Sequence, residues 1–364
     1  MFSQRIEGLR PSPIRSILEV IDRPGMVSFA GGLPATDMLP EWSGSVPPSV
    51  LQYGPSEGEP ALRAEVSRRL TDLGVDAPPH RVMILSGSQQ GIDLVAKLLV
   101  DPGTPTAVDD PTYLAALQVF RFYGARFVDL AASSNEDARL AYVVPTFGNP
   151  TGACMSAVDR DRLAERCLRE DTVLFEDDPY RDLVYDPCDR TPVAAQMAGG
   201  HWIYQGSFSK TFAPGLRLGF IAASADLFDK LVMIKQATDL HTSRLSQHIV
   251  LDAITDPGWA ARLDRLADFY RERRDTFDAA LTRHFQNLAT WERPKGGLFF
   301  WLRLTQRVDT RPLLAAAIER GVAFMPGEEF SPDLPDLGTM RLNFSHAHAD
   351  DADRGLAILA DLLG

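Results

Sequence analysis

From about residue 60 to 250, short apolar runs alternate with stretches of helical periodicity, and this alternation restricts the fold more than any other feature of the chain. Leu62, Val66, Leu70 and Leu73 recur at helical spacing over 60–73, with Gly74 as a stop. VMILS (82–86) reads as a short buried strand, 88–100 as a helix and DPGT (101–104) as a turn. PTAVDD, RFVDLA, LAYVVP, TVLFEDD and WIYQGS are further strand-like runs, with helical segments at about 112–123 and 156–169. Such an order predicts an α/β fold, with a mainly parallel large-domain sheet carrying helices on both faces, because each parallel pair needs a crossover. A long helical pattern follows at 258–286, with Leu263, Leu266, Tyr270, Phe277 and Leu281 on one stripe. After it come GGLFFWLRL, a helix at about 311–320, VAFMPG, MRLNFS and a last helix at 349–363, which predict a smaller α+β domain. The expected division is an N-terminal arm over 1–40, a large domain over 41–250 and a small C-terminal domain over 251–364.

The 364 residues include 37 basic and 49 acidic ones, a formal net charge of −12. So acidic a surface disfavours nucleic acid and anionic membrane as partners. No run approaches the roughly 18 apolar residues of a membrane span, and MFSQRIEGLRPSPIR lacks the apolar core of a signal peptide. A cytoplasmic protein is expected. Cys154, Cys167 and Cys188 show no CxxC spacing, which speaks against a disulfide framework or structural zinc and for a reducing compartment. His346 and His348 form an HxH pair without a third ligand at metal spacing, so no metal is expected. Arg271, Arg273 and Arg274 are expected on the solvated face of the long helix, and Phe299, Phe300 and Trp301 in the core of the small domain.

Only five of the 37 basic residues are lysines, which leaves few candidates for amine chemistry. Lys210, in GSFSKTFAPGLRLG (206–219), follows an apolar run and sits among small residues. A desolvated amine there gives up its proton readily and can form an imine with a carbonyl; the plain alternative is a surface lysine in a loop. Ser207, Ser209 and Arg217 surround it with the hydroxyls and guanidinium that suit a phosphate. SGSQQG (86–91), between strand and helix, is a second cradle, since free N–H groups and the helix dipole would face an anion. EDDPY (176–180) stands at the carboxyl end of a strand, where ligands of open α/β sheets bind. An aspartate there can keep a ring nitrogen protonated and a tyrosine can meet a phenolic oxygen, although Asp-Asp-Pro is also good turn chemistry. NPTG (149–152) again follows a strand, and its plain reading is a helix entry capped by threonine. An imine-forming lysine, an acid for a pyridine nitrogen, a ring-hydroxyl partner and an anion cradle are together what pyridoxal phosphate requires.

The chain resembles the fold-type I, pyridoxal-phosphate-dependent aminotransferases of class I/II. More narrowly it is similar to the subgroup of 2-aminoadipate and kynurenine aminotransferases and the aminotransferase domain of MocR-type regulators. SFAGGLP (28–34), LQYGPSEGEPALR (51–63), SGSQQGIDL (86–94), DDPTYLAALQVF (109–120), NPTG, EDDPY, GSFSKTFAPGLRLG, KQATDLHTSRLSQ (235–247), GGLFFW (296–301) and MRLNFS carry the resemblance along almost the full length. It implies that Lys210 holds the cofactor and later shuttles the substrate proton. Asp177 would pair with the pyridine nitrogen, Tyr180 and Asn149 with the ring oxygen, and Tyr113 would lie against the ring. Ser88, Gln89, Ser207, Ser209 and Arg217 would form the phosphate cup. Tyr53 would reach that phosphate from the neighbouring subunit of a homodimer. Arg341 would grip the substrate α-carboxylate, with a sheet-edge surface arginine as the alternative.

The implied activity is ping-pong transamination between an L-α-amino acid and a 2-oxo acid. Arg15 falls where relatives that recognise acidic side chains carry an arginine, pointing to a glutamate- or 2-aminoadipate-like partner; an exposed arginine on an arm is the alternative. Gly31 and Gly32 would let backbone approach the ligand. Another reaction on the same scaffold (elimination, decarboxylation or oxidation) stays open, as does a non-enzymatic ligand sensor. The resemblance begins within the first 15 residues, so no preceding helix-turn-helix is expected. Two departures stand out. AASSNEDARL replaces a helix usual between the strands ending near Leu130 and starting near Ala141, and Gly148 replaces a common polar residue before the NPTG asparagine.

Overall fold

A computed structural model describes residues 4–7, 23–131 and 138–364. Seven strands form the main sheet: β2 (Val82–Leu85), β3 (Pro105–Val108), β4 (Arg126–Asp129), β5 (Leu140–Val143), β6 (Val173–Asp177), β7 (Trp202–Ser207) and β8 (Gly219–Ala223). Their order is β2-β8-β7-β6-β5-β3-β4, and β8 alone runs against its neighbours. β2 therefore runs the same way as β7, and the carboxyl ends of six strands share one edge of the sheet.

Alternation along each strand decides which face a side chain serves. Val82 and Ile84 belong to one core, with Leu62, Val66 and Leu70 of α1 (Pro60–Asp72), Leu163 and Ala164 of α4 (Ala157–Glu170), and Val250 and Ile254 of α6 (Arg244–Thr255). Met83 and Leu85 point to the other, with Ile92 and Val95 of α2 (Ser88–Leu99), Leu117 and Phe120 of α3 (Leu114–Tyr123), and Phe228 and Leu231 of α5 (Ala225–Thr238). Each such buried Leu, Ile or Phe contributes about 1.5–3 kcal/mol. The predicted parallel sheet with helices on both faces is thus present, and the predicted helix bounds hold to within about two residues.

The C-terminal part is built on an antiparallel sheet ordered β12-β13-β10-β9, made from β9 (Ala289–Trp291), β10 (Phe299–Leu304), β12 (Met325–Pro326) and β13 (Thr339–Asn343). α7 (Trp259–Phe285) begins in the first core at Trp259 and ends in this one, where Leu266, Tyr270, Phe277 and Leu281 pack. α8 (Thr310–Glu319) and α9 (Ala349–Leu363) complete it. β1 (Val27–Ser28) pairs in parallel with β11 (Val322–Ala323), so the segment around residues 27–28 is stitched to the C-terminal part. Phe147, Tyr180 and Leu183, from loops of the main sheet, are buried in this C-terminal core. All three cysteines are free thiols.

One expectation fails. Arg274 is 1% exposed and donates to Asp186 Oδ2 and the Pro294 carbonyl, while Arg271 donates to the Tyr185 carbonyl and Arg273 to the Ser345 carbonyl. These arginines do not form a solvated face, because the 184–186 and 294–295 segments offer acceptors to Arg271 and Arg274, and the 345–346 segment offers carbonyls to Arg273. Of the aromatic trio, Phe299 and Phe300 are fully buried and Trp301 is half-buried. The replaced segment after Leu130 falls largely on 132–137, outside the described residues.

Candidate active site

A cavity of about 350 Å³ opens where the shared strand ends meet the C-terminal core. Ser88, Gln89, Tyr113, Asn149, Asp177, Tyr180, Ser207, Ser209, Lys210, Arg217, Gly32 and Arg341 all line it. With Gly31, which lines it too, thirteen of the fifteen residues expected from the sequence to meet cofactor or substrate are therefore brought together. Tyr53 is not among them: it is 77% exposed, with its ring edge-on to His241 at 5.6 Å. Arg15 lies outside the described residues.

Lys210 sits in the turn after β7, and its Nζ donates to the Gly32 carbonyl at 2.7 Å. Burial, then the Arg217 and Arg341 guanidinium groups, lower its amine to about 8. Asp177 ends β6, buried, with Oδ1 accepting from Gln205 Nε2 and Oδ2 from the Tyr142 hydroxyl, both at 2.9 Å. Burial pushes its carboxyl up to about 6 against the pull of those two donors. Tyr180 is hydrogen-bonded to Asn149, and burial raises its phenol. Tyr113 precedes α3, and burial pushes its phenol up to about 12.

The segment expected to cradle an anion lies at the start of α2. Gly87 precedes it at φ +86°, and no side chain caps the helix, so its first N–H groups remain available. A Cβ at Gly87 would stand 2.6 Å from Arg217 Nη2, so glycine is needed for clearance as well as for its dihedral. Arg217 itself has φ +48°, uncommon for a residue with a Cβ. Beside it, Ser207 Oγ accepts from the Ser209 N–H at 3.2 Å.

Arg341 stands on β13 opposite Trp301 and Met325. Its Nη1 donates to Asn149 Oδ1 at 2.8 Å and its Nη2 to the Ala30 carbonyl; the buried Nε has no partner. The guanidinium carbon lies 4.3 Å from the Phe299 ring centre and 5.1 Å from that of Phe330. It is no sheet-edge surface arginine. The NPTG loop is not a Thr-capped helix entry either: α4 starts at Ala157, capped by Ser156, and Arg160 ties the loop down through the Pro145 and Met155 carbonyls. Gly148 has no room for the polar residue of relatives in this conformation, since a Cβ would lie 2.8 Å from the Val144 carbonyl.

Reasoning from sequence missed Tyr142 and Gln205 on Asp177, and Phe299 and Phe330 on Arg341. The lone glutamine in the apolar run WIYQGS was the available signal for Gln205. The others depend on neighbours distant in sequence. The chemistry of the donor set fits pyridoxal phosphate: a buried amine with a lowered proton affinity, a buried acid and an anion cradle open onto one space.

Comparison with known proteins agrees. The model of aminotransferase class I and II matches residues 45–359. The chain is 34% identical to aromatic-amino-acid aminotransferase 1 of Thermococcus litoralis, over 100% of this chain and 94% of that protein. It is likewise 34% identical to 2-aminoadipate transaminase of Thermus thermophilus, over 98% and 94%. Among solved structures, the α-aminoadipate aminotransferase LysN of Thermus thermophilus, complexed with N-(5'-phosphopyridoxyl)-L-leucine, superposes with a TM-score of 0.88 at 32% identity, covering 100% of this chain and 97% of that one. Pyrococcus horikoshii kynurenine aminotransferase gives 0.90 at 31% identity, covering 100% and 96%.

The chain belongs to the class I and II aminotransferases. It is a fold-type I, pyridoxal-phosphate-dependent transaminase that acts on amino acids and 2-oxo acids. The chain is also similar to an HTH-type transcriptional regulator of Bacillus subtilis, at 27% identity over 94% of this chain and 76% of that protein. No helix among the described residues is long and apolar enough to cross a membrane.

Proposed function

We propose that this cavity runs both halves of a ping-pong transamination with Lys210 as its acid–base. When bound, pyridoxal phosphate supplies an aldehyde that receives the amino group and a protonated ring that accepts electrons from the substrate Cα–H bond. Lys210 would take the proton from the substrate Cα and deliver it to the former aldehyde carbon, which leaves the nitrogen with the cofactor and frees the substrate as a 2-oxo acid. An amine lowered to about 8 is partly neutral near pH 7–8, so it serves in either direction. Asp177 keeps the ring nitrogen protonated, Tyr180 and Asn149 hold the ring oxygen, and Tyr113 packs against the ring. Ser88, Gln89, Ser207, Ser209 and Arg217 take the phosphate. Arg341 takes the substrate α-carboxylate, and the Gly31–Gly32 backbone covers the substrate and excludes water.

The observation that carries this reading is the convergence of Lys210, Asp177 and Arg341 on one cavity. A second copy of the chain would bring Tyr53 to the phosphate. Its exposure, with Leu51, Leu240 and Leu245 also exposed, supports a homodimer. Arg15 on an arm over 1–40 would meet the distal carboxylate of a glutamate- or 2-aminoadipate-like partner. The arm would belong to an enzyme with a cofactor-binding domain of 41–250 and a small domain of 251–364, acting in the cytoplasm. Mixing loaded enzyme with single amino acids tests the reading: some must convert the pyridoxal spectrum to the pyridoxamine spectrum. Ammonia, carbon dioxide or peroxide in place of an exchanged amino group would point to other chemistry.

A further inference from the structure

Asp177 is gripped from both neighbouring strands. Gln205 is its direct cross-strand partner on β7, and Tyr142 stands on β5, facing Phe175 in the register. Both donors are buried, and each takes a different carboxylate oxygen at 2.9 Å. Edge-on contacts with Phe120 at 5.5 Å and Phe175 at 5.4 Å fix the Tyr142 ring. The ionisable groups around Asp177 are Asp178 just past the strand end, Tyr142, and the Tyr113 and Tyr180 phenols, with the Lys210, Arg217 and Arg341 cations lining the same cavity. The pull against burial, which favours the neutral acid, comes from the Gln205 and Tyr142 hydrogen bonds.

Gln205 shows what this arrangement costs. Turning its N–H group to Asp177 leaves its Oε1 buried without a partner. The space for that oxygen exists because residue 91 is glycine: a Cβ there would collide with it. An unpaired buried amide oxygen destabilises a fold, and a leucine of similar size would avoid it.

We infer that Tyr142 and Gln205 are positioning residues which, in the space left by Gly91, keep the Asp177 carboxylate ionised and turned into the cofactor cavity. The inference rests on the reading of Asp177 as the partner of the ring nitrogen. Losing either donor removes a hydrogen bond made to the charged form, so the Asp177 carboxyl takes up its proton at higher pH.

The test is the affinity of the full-length apoenzyme for pyridoxal phosphate, followed by fluorescence quenching from pH 5 to 9 and paired with melting temperatures. The ligand's own titration cancels between variants. In Gln205→Leu and in Tyr142→Phe, the acid-side loss of affinity should begin about one to two pH units higher than in wild type. Gln205→Leu should melt no lower than wild type, and on an Asp177→Asn background it should change affinity no further. A uniform loss at every pH, a loss that tracks a fallen melting temperature, or a further loss on the Asp177→Asn background would reduce both residues to packing and overturn the inference. Tyr142→Phe removes one oxygen from an intact ring, so the test survives if Gln205→Leu fails to fold. If Asp177→Asn alone binds like wild type at all pH values, the underlying reading of Asp177 has failed instead.

Discussion

Replacing Arg341 by alanine should reduce kcat/KM for every α-amino acid by about 30- to 1,000-fold. The guanidinium is 2% exposed and held between the Phe299 and Phe330 rings, with Asn149 and the Ala30 carbonyl taking one terminal nitrogen each. It is thus fixed before any substrate arrives, and its unpaired Nε is free to complete a two-pronged contact. Removing one partner from a buried, hydrogen-bonded charge pair costs about 2–4 kcal/mol, and each 1.4 kcal/mol is a factor of ten. Arg341→Lys keeps the charge without the fork and should fall between alanine and wild type. Stopped-flow absorbance of the amino-acid half-reaction measures the loss, with a simple amine lacking a carboxylate as control. The control should react no more slowly in Arg341→Ala than in wild type. Arg341 also lowers the Lys210 amine, so its removal should move the amine's titration upward. An equal loss for the amine control would refute the assignment, because the damage would then lie in the cavity and not in carboxylate recognition.

Lys210→Ala should bind pyridoxal phosphate without a borohydride-reducible link and show no multiple turnovers; sustained turnover would contradict its role. The Lys210 amine is lowered from 10.5 to about 8, so protonation opposes folding of the apoenzyme. Lys210→Leu should therefore raise the apoenzyme melting temperature most below pH 8, with the gain shrinking as pH rises toward 10.5; a gain independent of pH would contradict the titration. Arg15→Ala should slow acidic amino acids and spare alanine in the same half-reaction assay, and an equal loss for both would remove the case for that arginine. Tyr53→Phe should weaken pyridoxal phosphate binding in a protein that sediments as a dimer, and unchanged affinity would remove Tyr53 from the phosphate. Gly91→Ala forces the Gln205 amide off Asp177 and should reproduce the pH shift of Gln205→Leu; a profile like that of wild type would mean the amide is not displaced.

The strands and helices were legible because their signals are periodic and local. Val82 to Leu85 divide between two cores as alternation requires, and Leu62, Val66 and Leu70 lie on one buried helix face. The residues that line the cavity were legible for a related reason. Their motifs follow β2, β5, β6 and β7, and strands that run the same way deliver them to one edge. What a residue meets across the fold was not legible. A run of arginines on α7 reads as solvated until the 184–186, 294–295 and 345–346 segments meet it. The pairing of Gln205 with Asp177 depends on strand register, and the rings around Arg341 come from β10 and from the turn after β12. Periodicity is written residue by residue, so sequence determined the elements and the chemistry available to them. Burial, register and the proton affinities of Lys210 and Asp177 come from neighbours distant along the chain, and only the tertiary structure brings those neighbours together.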